Sequence, residues 1–296
     1  MSAPPGTARA RRIVATDGAS ADLIEVDAAA GSGDVLLWLP AMGVAARHYI
    51  PFAQALAARG IGVALHEWRG IGSSDRRAGW RCNWGYRELL DDLEASVAAI
   101  TRTHPQARLW IGGHSLGGQL AALACAREPA RYAGLVLVAS GAPYWRMFRH
   151  RWGVLGAYVI APMLGAAFGH VPGRRIGFGG REARCVIDDW ARSGRSGRYR
   201  VRGLAVDFER ALGASTVPVF AHRLADDWLG PAASLDWLLD TMPLAPREVA
   251  VHGSAELGTT ADHFGWMKQP DVLVRGISAQ MAGLPAHGKR AFHSNK

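Results

Sequence analysis

Cysteine and lysine are scarce in this chain of 296 residues. Its three cysteines are an odd number without the spacing of metal ligands, so the sequence indicates neither a disulfide framework nor a cysteine metal site. We therefore expect reduced thiols and a cytoplasmic location. Three lysines stand beside 31 arginines, and the net charge is +9. No basic run alternates with aromatic residues, and no zinc-finger or helix-turn-helix pattern occurs, so nucleic acid is not an expected partner.

Apolar segments long enough to enter a membrane are also few. Residues 1–12 contain three arginines and no apolar stretch, which argues against a signal peptide. Residues 153–169 form an uncharged stretch of 17 residues, at the lower limit for crossing a bilayer. Pro162 and four interspersed glycines favour a pair of helices, buried or facing lipid, over a membrane span. A contact with a membrane surface stays open but is not favoured, and the sequence indicates no oligomeric state.

Apolar residues follow the periods of strands and helices in turn through the first half of the chain. The predicted strands there are residues 13–16, 22–27, 35–39, 61–66, 109–111 and 135–139. The predicted helices are residues 49–59, 86–103 and 119–127. After an interruption the alternation resumes with strands at 217–222 and 248–252 and a helix at 235–240. This order predicts an α/β fold with a mostly parallel central sheet and helices on both of its faces.

The interruption defines the predicted domain organisation. From residue 143 to about residue 212, arginines, glycines and tryptophans are frequent and no clear strand pattern occurs. We predict a largely helical cap at 144–212, inserted between two parts of one core domain at 1–143 and 213–283. A tail at 284–296 is predicted to be disordered. Ligands of open α/β folds bind at the carboxyl edge of the sheet, which the cap would cover.

The strongest functional signal is the stretch Gly113-His114-Ser115-Leu116-Gly117. It follows an apolar run and precedes a helix-favouring one, as does the nucleophile elbow, a sharp strand-to-helix turn that exposes a serine. Glycines two residues before and two after the serine remove side chains that would collide in such a turn. The turn also places Ser115 at a helix N-terminus, where free N–H groups favour a developing oxyanion. The pattern therefore predicts that Ser115 is a nucleophile.

A serine nucleophile needs a histidine base and a carboxylate that orients it. In this topology the acid follows the nucleophile in the chain, after the first strand beyond the cap. Two adjacent aspartates, Asp226 and Asp227, follow the strand at 217–222. We favour Asp227, because Pro231 then lies four residues on and opens the next helix. Asp226 stays the alternative.

The base is expected in the loop after the last strand. His263 lies there, in a segment loosened by glycines, and is the predicted base. His252 at the end of the strand is the competitor, although a histidine in that position is more often a packed one. Two backbone N–H groups are predicted to form the oxyanion hole. One belongs to Leu116, directly after the nucleophile, and the other to Met42 in the loop after the third strand.

These segments resemble those of α/β-hydrolase-fold proteins with a serine triad. The chain is most similar to predicted bacterial hydrolases related to the serine aminopeptidase S33 and monoglyceride lipase group. The resemblance covers roughly residues 35–266 and leaves the cap unmatched. Many relatives have His-Gly where this chain has Pro40-Ala41, so the oxyanion loop departs from the pattern. The matching segments are Pro40-Ala41-Met42-Gly43, Arg69-Gly70-Ile71-Gly72-Ser73, the residues 113–117, Asp226-Asp227 with Pro231, and His263-Phe264-Gly265.

The resemblance implies the α/β-hydrolase fold and ester chemistry, and it does not give the substrate. We expect a serine hydrolase that cleaves a small acyl ester through an acyl-enzyme and needs no metal or other cofactor. An acyltransferase with the same triad and a non-catalytic binding protein of the same fold are the alternatives. The apolar composition of the cap suggests a lipid-like acyl group, and we expect the cap arginines to be solvated. Candidate pocket residues are Trp145, Tyr158 and Trp228.

Overall fold

An eight-stranded sheet forms the centre of the molecule, whose computed structural model describes residues 6–28 and 33–284. The strands follow each other across the sheet in the order β1-β2-β4-β3-β5-β6-β9-β10. The first two pairs in that order are antiparallel and all the others are parallel. In chain order the strands are β1 (Ala8–Val14), β2 (Ser20–Val26), β3 (Asp34–Leu39), β4 (Gly62–Leu65), β5 (Arg108–His114), β6 (Leu135–Val138), β7 (His170–Pro172), β8 (Arg181–Ala183), β9 (Val219–Leu224) and β10 (Arg247–His252).

Helices cover both faces of this sheet. Strand β3 shows how the sequence directs them, because its side chains alternate between the two faces. Leu37 and Leu39 pack into the core on one face, and Leu36 and Trp38 pack into the core on the other. The helices are α1 (Ile50–Ala57), α2 (Tyr86–Thr103), α3 (Leu116–Arg127), α4 (Arg151–Phe168), α5 (Gly173–Ile176), α6 (Arg184–Ser196), α7 (Phe208–Gly213), α8 (Ala232–Asp240), α9 (Ser254–Leu257) and α10 (Asp271–Gly283). The predicted α/β fold with a mostly parallel sheet is confirmed.

The sequence pattern placed the first strand wrongly, at residues 13–16, whereas β1 spans Ala8–Val14. Strand β1 is an edge strand that pairs with β2, and three ion pairs join it to β2 and to the residue after β2. Three arginines, at positions 9, 11 and 12, interrupt its apolar pattern, which hides the strand from a search for apolar periodicity. Helix α10 was not predicted either, although its Leu273 and Ile277 are fully buried. Residues 285–296, most of the predicted tail, lie outside the described residues.

The segment between β6 and β9 contains four helices and a small antiparallel pair, β7 and β8. Hydrogen bonds attach it to the core: Asp189 accepts from the N–H of Tyr86 at 2.9 Å, and Arg181 donates to the carbonyl of Ala78 at 2.7 Å. The stretch at 153–169 was predicted to form a pair of helices, but it lies in one continuous helix, α4. Pro162 is inside this helix and does not end it. By length and composition α4 is the one helix in the described part of the chain that could cross a membrane.

The parallel strands all end at one edge of the sheet, beneath this inserted segment. The loop at 40–44 follows β3, Ser115 follows β5, Asp227 follows β9 and His263 follows β10. Crossover connections give every parallel strand the same direction, so residues far apart in the chain come together at this edge.

Candidate active site

Ser115 occupies a strained turn between β5 and α3. Its φ of 55° and ψ of −120° lie in a region that residues with side chains rarely adopt. A Cβ on Gly113 would lie 2.3 Å from the backbone carbon of Gly117, and one on Gly117 would lie 2.1 Å from the carbonyl oxygen of Leu39. Glycine is therefore required at both positions. The Ser140 hydroxyl donates to the carbonyl of Ser115 at 2.8 Å and holds the turn from below.

Asp227 and His263 are brought together from two different loops. Oδ2 of Asp227 lies 2.8 Å from Nδ1 of His263, and the aspartate side chain is fully buried. Its other oxygen, Oδ1, accepts from the N–H groups of Leu229 and Gly230, both at 2.9 Å. An ionised carboxylate only accepts hydrogen bonds, so the proton on the imidazole lies at Nδ1. This arrangement leaves Nε2 of His263 free to accept a proton.

The two competing residues make other contacts. Asp226 is exposed and accepts from the hydroxyl of Ser254 at 3.3 Å. His252 is buried, with Nε2 3.0 Å from Nδ1 of His222 and Nδ1 3.2 Å from a carboxylate oxygen of Glu256. Neither residue lines the cavity described below, which contains both Ser115 and His263.

The backbone N–H groups of Met42 and Leu116 are the predicted donors of the oxyanion hole. Both residues line the cavity. Neither N–H donates a hydrogen bond to any residue in the described part of the chain. Gly43 has a φ of +75°, and a Cβ there would lie 2.4 Å from the backbone of Gly179, so only glycine fits where the inserted segment touches this loop. The two free donors suit a developing oxyanion beside Ser115.

The hydroxyl of Tyr49 ties the oxyanion loop to the serine turn. It accepts from the N–H of Ala41 at 3.0 Å and lies 2.9 Å from Nδ1 of His114, the residue before Ser115. A tyrosine hydroxyl can donate one hydrogen bond and accept others, so it can hold both partners at once. The His114 ring lies 4.8 Å from the ring of His263. Burial, and then the neighbouring His263, hold the pKa of His114 well below its usual range, so this histidine stays neutral.

A cavity of about 920 Å³ opens above Ser115 and His263, at the upper end of the range for ligand sites. Its walls come from the core loops and from the inserted segment, α4 included, and they are mostly apolar. Among the residues that the structure describes, no aspartate, glutamate, lysine or arginine lines it, and His263 is its one histidine. Such a cavity favours a neutral, largely apolar ligand, because burying an unpaired charge is costly.

Two of the three predicted pocket residues line this cavity. Tyr158 is buried, with its hydroxyl donating to the carbonyl of Pro143, and Trp228 is exposed at the margin. Trp145 is not part of the lining, since its ring packs against that of Trp152 at 5.0 Å. The cap arginines also lie outside the lining: Arg146, Arg149, Arg151, Arg174 and Arg175 are all exposed.

Gln119 is a cavity residue that the sequence analysis missed. It is 6% exposed, and its Oε1 has no hydrogen-bond partner among the described residues. Residues four apart share a helix face, so its position four residues after Ser115 could have indicated its place. Its carboxamide offers a donor and an acceptor to a ligand in a lining that is otherwise mostly apolar.

The comparisons with known proteins agree with the α/β fold described above. Residues 34–172 match a family model described as "Serine aminopeptidase, S33", and no curated protein sequence matches the chain. A structure of a bacterial membrane phospholipase A is similar, with a TM-score of 0.60, 15% identity, and 94% of this chain and 87% of that chain covered. A hydrolase from Pseudomonas aeruginosa gives a TM-score of 0.58 and 18% identity over 93% and 99% of the two chains. An esterase from Pyrococcus furiosus gives a TM-score of 0.57 and 15% identity, with 93% of this chain and 92% of that chain covered.

At these identities the structural similarities show the fold. Together with the family model they confirm the resemblance to α/β hydrolases that the motifs indicated.

Replacing Tyr49 by phenylalanine tests the link between the two loops. The change removes the hydroxyl and leaves the buried N–H of Ala41 and Nδ1 of His114 without it. We expect the free energy of unfolding to fall by about 2 kcal/mol in chemical denaturation, since unpaired buried polar groups are costly. Tyr199 is the matched control, because it is equally buried and its hydroxyl has no partner among the described residues. Equal effects of Tyr49→Phe and Tyr199→Phe would contradict this role of Tyr49.

Replacing Gln119 by leucine keeps the size of the side chain and removes its buried, unpartnered oxygen. The free energy of unfolding should rise by about 1 kcal/mol, because an apolar group of similar shape carries no desolvation cost. Thermal and urea unfolding of the variant and the wild type measure the difference. A less stable variant would mean that the carboxamide is hydrogen-bonded within the protein.

Proposed function

We propose that this chain, which has the α/β-hydrolase fold, cleaves neutral carboxylic esters with an apolar acyl group. The observation that supports this most directly is the pairing of Asp227 with His263 at 2.8 Å, with His263 lining the same cavity as Ser115 on its strained turn. The mostly apolar cavity above these residues supports the choice of an apolar ester.

In the proposed mechanism Ser115 is the nucleophile. Its Oγ attacks the ester carbonyl while Nε2 of His263 takes the hydroxyl proton. Asp227 accepts the hydrogen bond from Nδ1 and stabilises the positive charge that forms on the imidazole. The negative oxygen of the tetrahedral intermediate is stabilised by the N–H groups of Met42 and Leu116.

The intermediate collapses when the bond between the carbonyl carbon and the alcohol oxygen breaks. His263 gives its proton to the leaving alcohol, and the acyl group stays on Ser115 as an ester. A water molecule then attacks this acyl-enzyme, with His263 again accepting a proton, and the second collapse releases the acid and restores the serine. His114 is neutral, so it places no second positive charge against His263 when the imidazole is protonated.

The acyl preference is the first test of the function. For a series of p-nitrophenyl esters we expect kcat/KM to rise with acyl length by up to about fourfold per methylene until the cavity is full, because each buried methylene contributes about 0.8 kcal/mol. Ser115→Ala should abolish this hydrolysis. A folded wild-type protein that hydrolyses no ester of the series would contradict the proposal.

The two adjacent aspartates provide a matched pair of variants within the same assay. Asp227→Asn should lower kcat by about 10³- to 10⁴-fold, since the neutral amide no longer fixes the tautomer or stabilises the imidazolium. Asp226→Asn should leave kcat close to the wild-type value, because Asp226 is exposed and contacts Ser254 instead. The reverse result would assign the acid role to Asp226.

A further inference from the structure

Helix α4 exposes an apolar stripe that nothing in the described chain covers. Trp152, Val159, Ile160 and Met163 are 68%, 49%, 56% and 64% exposed. With spacings of seven, eight and eleven residues they share one face of the helix. In a protein surrounded by water, four large apolar side chains grouped in this way mark an interaction site.

The opposite face of α4 lies on the protein. Only Tyr158 and Gly165 of this helix are buried, and the Tyr158 ring packs edge-on against Trp190 of α6 at 4.6 Å. Because one face of α4 packs on α6 and the stripe on the other face is exposed, α4 lies along the surface of the cap with its stripe facing outward. A helix of 18 residues is about 27 Å long, slightly shorter than the hydrocarbon core of a bilayer.

The mouth of the cavity lies within the same apolar surface. Ile160, Ile176, Trp228 and Phe264 line the cavity and are 45–68% exposed, so they form its rim. Ile160 belongs to both the stripe and the rim. A binding partner that covered the stripe would therefore also face the entrance to the cavity.

The inserted segment that carries the stripe has charged side chains of one sign between residues 143 and 180. Between residues 143 and 180 the sequence contains five arginines and neither aspartate nor glutamate. All five arginines are exposed, and none forms an ion pair with an acidic residue of the described chain. Arg146 and Arg151 lie over the rings of Trp145 and Trp152, with 5.2 and 5.9 Å from guanidinium carbon to ring centroid. Arginine and tryptophan together are typical of side chains at a membrane interface.

We propose that this docking face, comprising the stripe, the rim and the five arginines, binds an anionic lipid surface. The stripe enters the boundary between headgroups and acyl chains, and the arginines contact the headgroup phosphates. The entrance to the cavity then opens toward the lipid. A second copy of the chain fits less well, since a twofold contact would bring the unpaired arginines of both copies together.

Vesicle binding tests the proposal independently of catalysis. Purified protein is sedimented with vesicles of phosphatidylcholine alone and of phosphatidylcholine mixed with phosphatidylglycerol. We expect stronger binding to the mixed vesicles and a decrease at high ionic strength. The Ser115→Ala protein should bind as the wild type does, so a failure of the proposed function leaves this result unchanged. Absence of binding, or equal binding to both vesicle types, would overturn the proposal.

Two quadruple variants separate a local surface from overall charge. Changing Arg149, Arg151, Arg174 and Arg175 to Gln should weaken binding to mixed vesicles more than tenfold, at about fivefold for each arginine that reaches the surface. The control changes Arg59, Arg102, Arg210 and Arg275 to Gln, which are exposed arginines without ion pairs in the described chain. It removes the same charge and should bind within about twofold of the wild type. Equal losses in the two variants would overturn the proposal.

The apolar stripe is tested by Trp152→Ser combined with Met163→Ser. Neither residue lines the cavity, so hydrolysis of a soluble short-chain ester serves as the control for folding. We expect vesicle binding to fall while this hydrolysis stays unchanged. Analytical ultracentrifugation without lipid tests whether a second copy of the chain binds this face instead. A dimer of the wild type that dissociates in this double variant would assign the face to a second copy and overturn the proposal.

Discussion

The arrangement of the site depends on one strained backbone position. Ser115 has a positive φ that costs on the order of 1–3 kcal/mol, and the surrounding structure must supply the compensation. Glycines at 113 and 117 remove the side chains that would forbid the turn, and Ser140 and the oxyanion loop pack against it. The same turn places Ser115 in the wall of the cavity and starts α3 at Leu116, whose N–H has no partner among the described residues. Without this strained turn, Ser115 would be an ordinary residue at the end of the buried strand β5.

The sequence predicted the features that depend on local chain chemistry. The glycine spacing around Ser115 predicted the turn, and the strand and helix periods predicted the parallel sheet. The order of the loops indicated Asp227 as the acid and His263 as the base. Periodicity failed where tertiary contacts decide the structure. Strand β1 is held by ion pairs to β2, and α4 continues through Pro162 because it packs on α6. The contact of Tyr49 with His114 and the burial of Gln119 join residues whose proximity no local pattern encodes.

Charge is divided between the inside and the outside of the cap. Among the described residues, the cavity wall has no carboxylate, lysine or arginine, while five arginines without ion pairs in that part of the chain are exposed on the inserted segment. This division agrees with the expectation that the cap arginines are solvated. A neutral acyl group suits the cavity, and the arginines are left to contact anionic groups outside it. An ester in a lipid layer would first lie against the outer face with the arginines and then enter the apolar cavity.

The central claim is that the strained turn and the Asp227–His263 pair create an activated serine. The most direct measurement is the intact mass of the protein after exposure to a fluorophosphonate, which reacts with activated serines and leaves ordinary ones unmodified. We expect a single adduct on the wild type, none on Ser115→Ala and much slower labelling of Asp227→Asn. A folded wild-type protein that stays unmodified, or a Ser115→Ala protein that is still labelled, would contradict it.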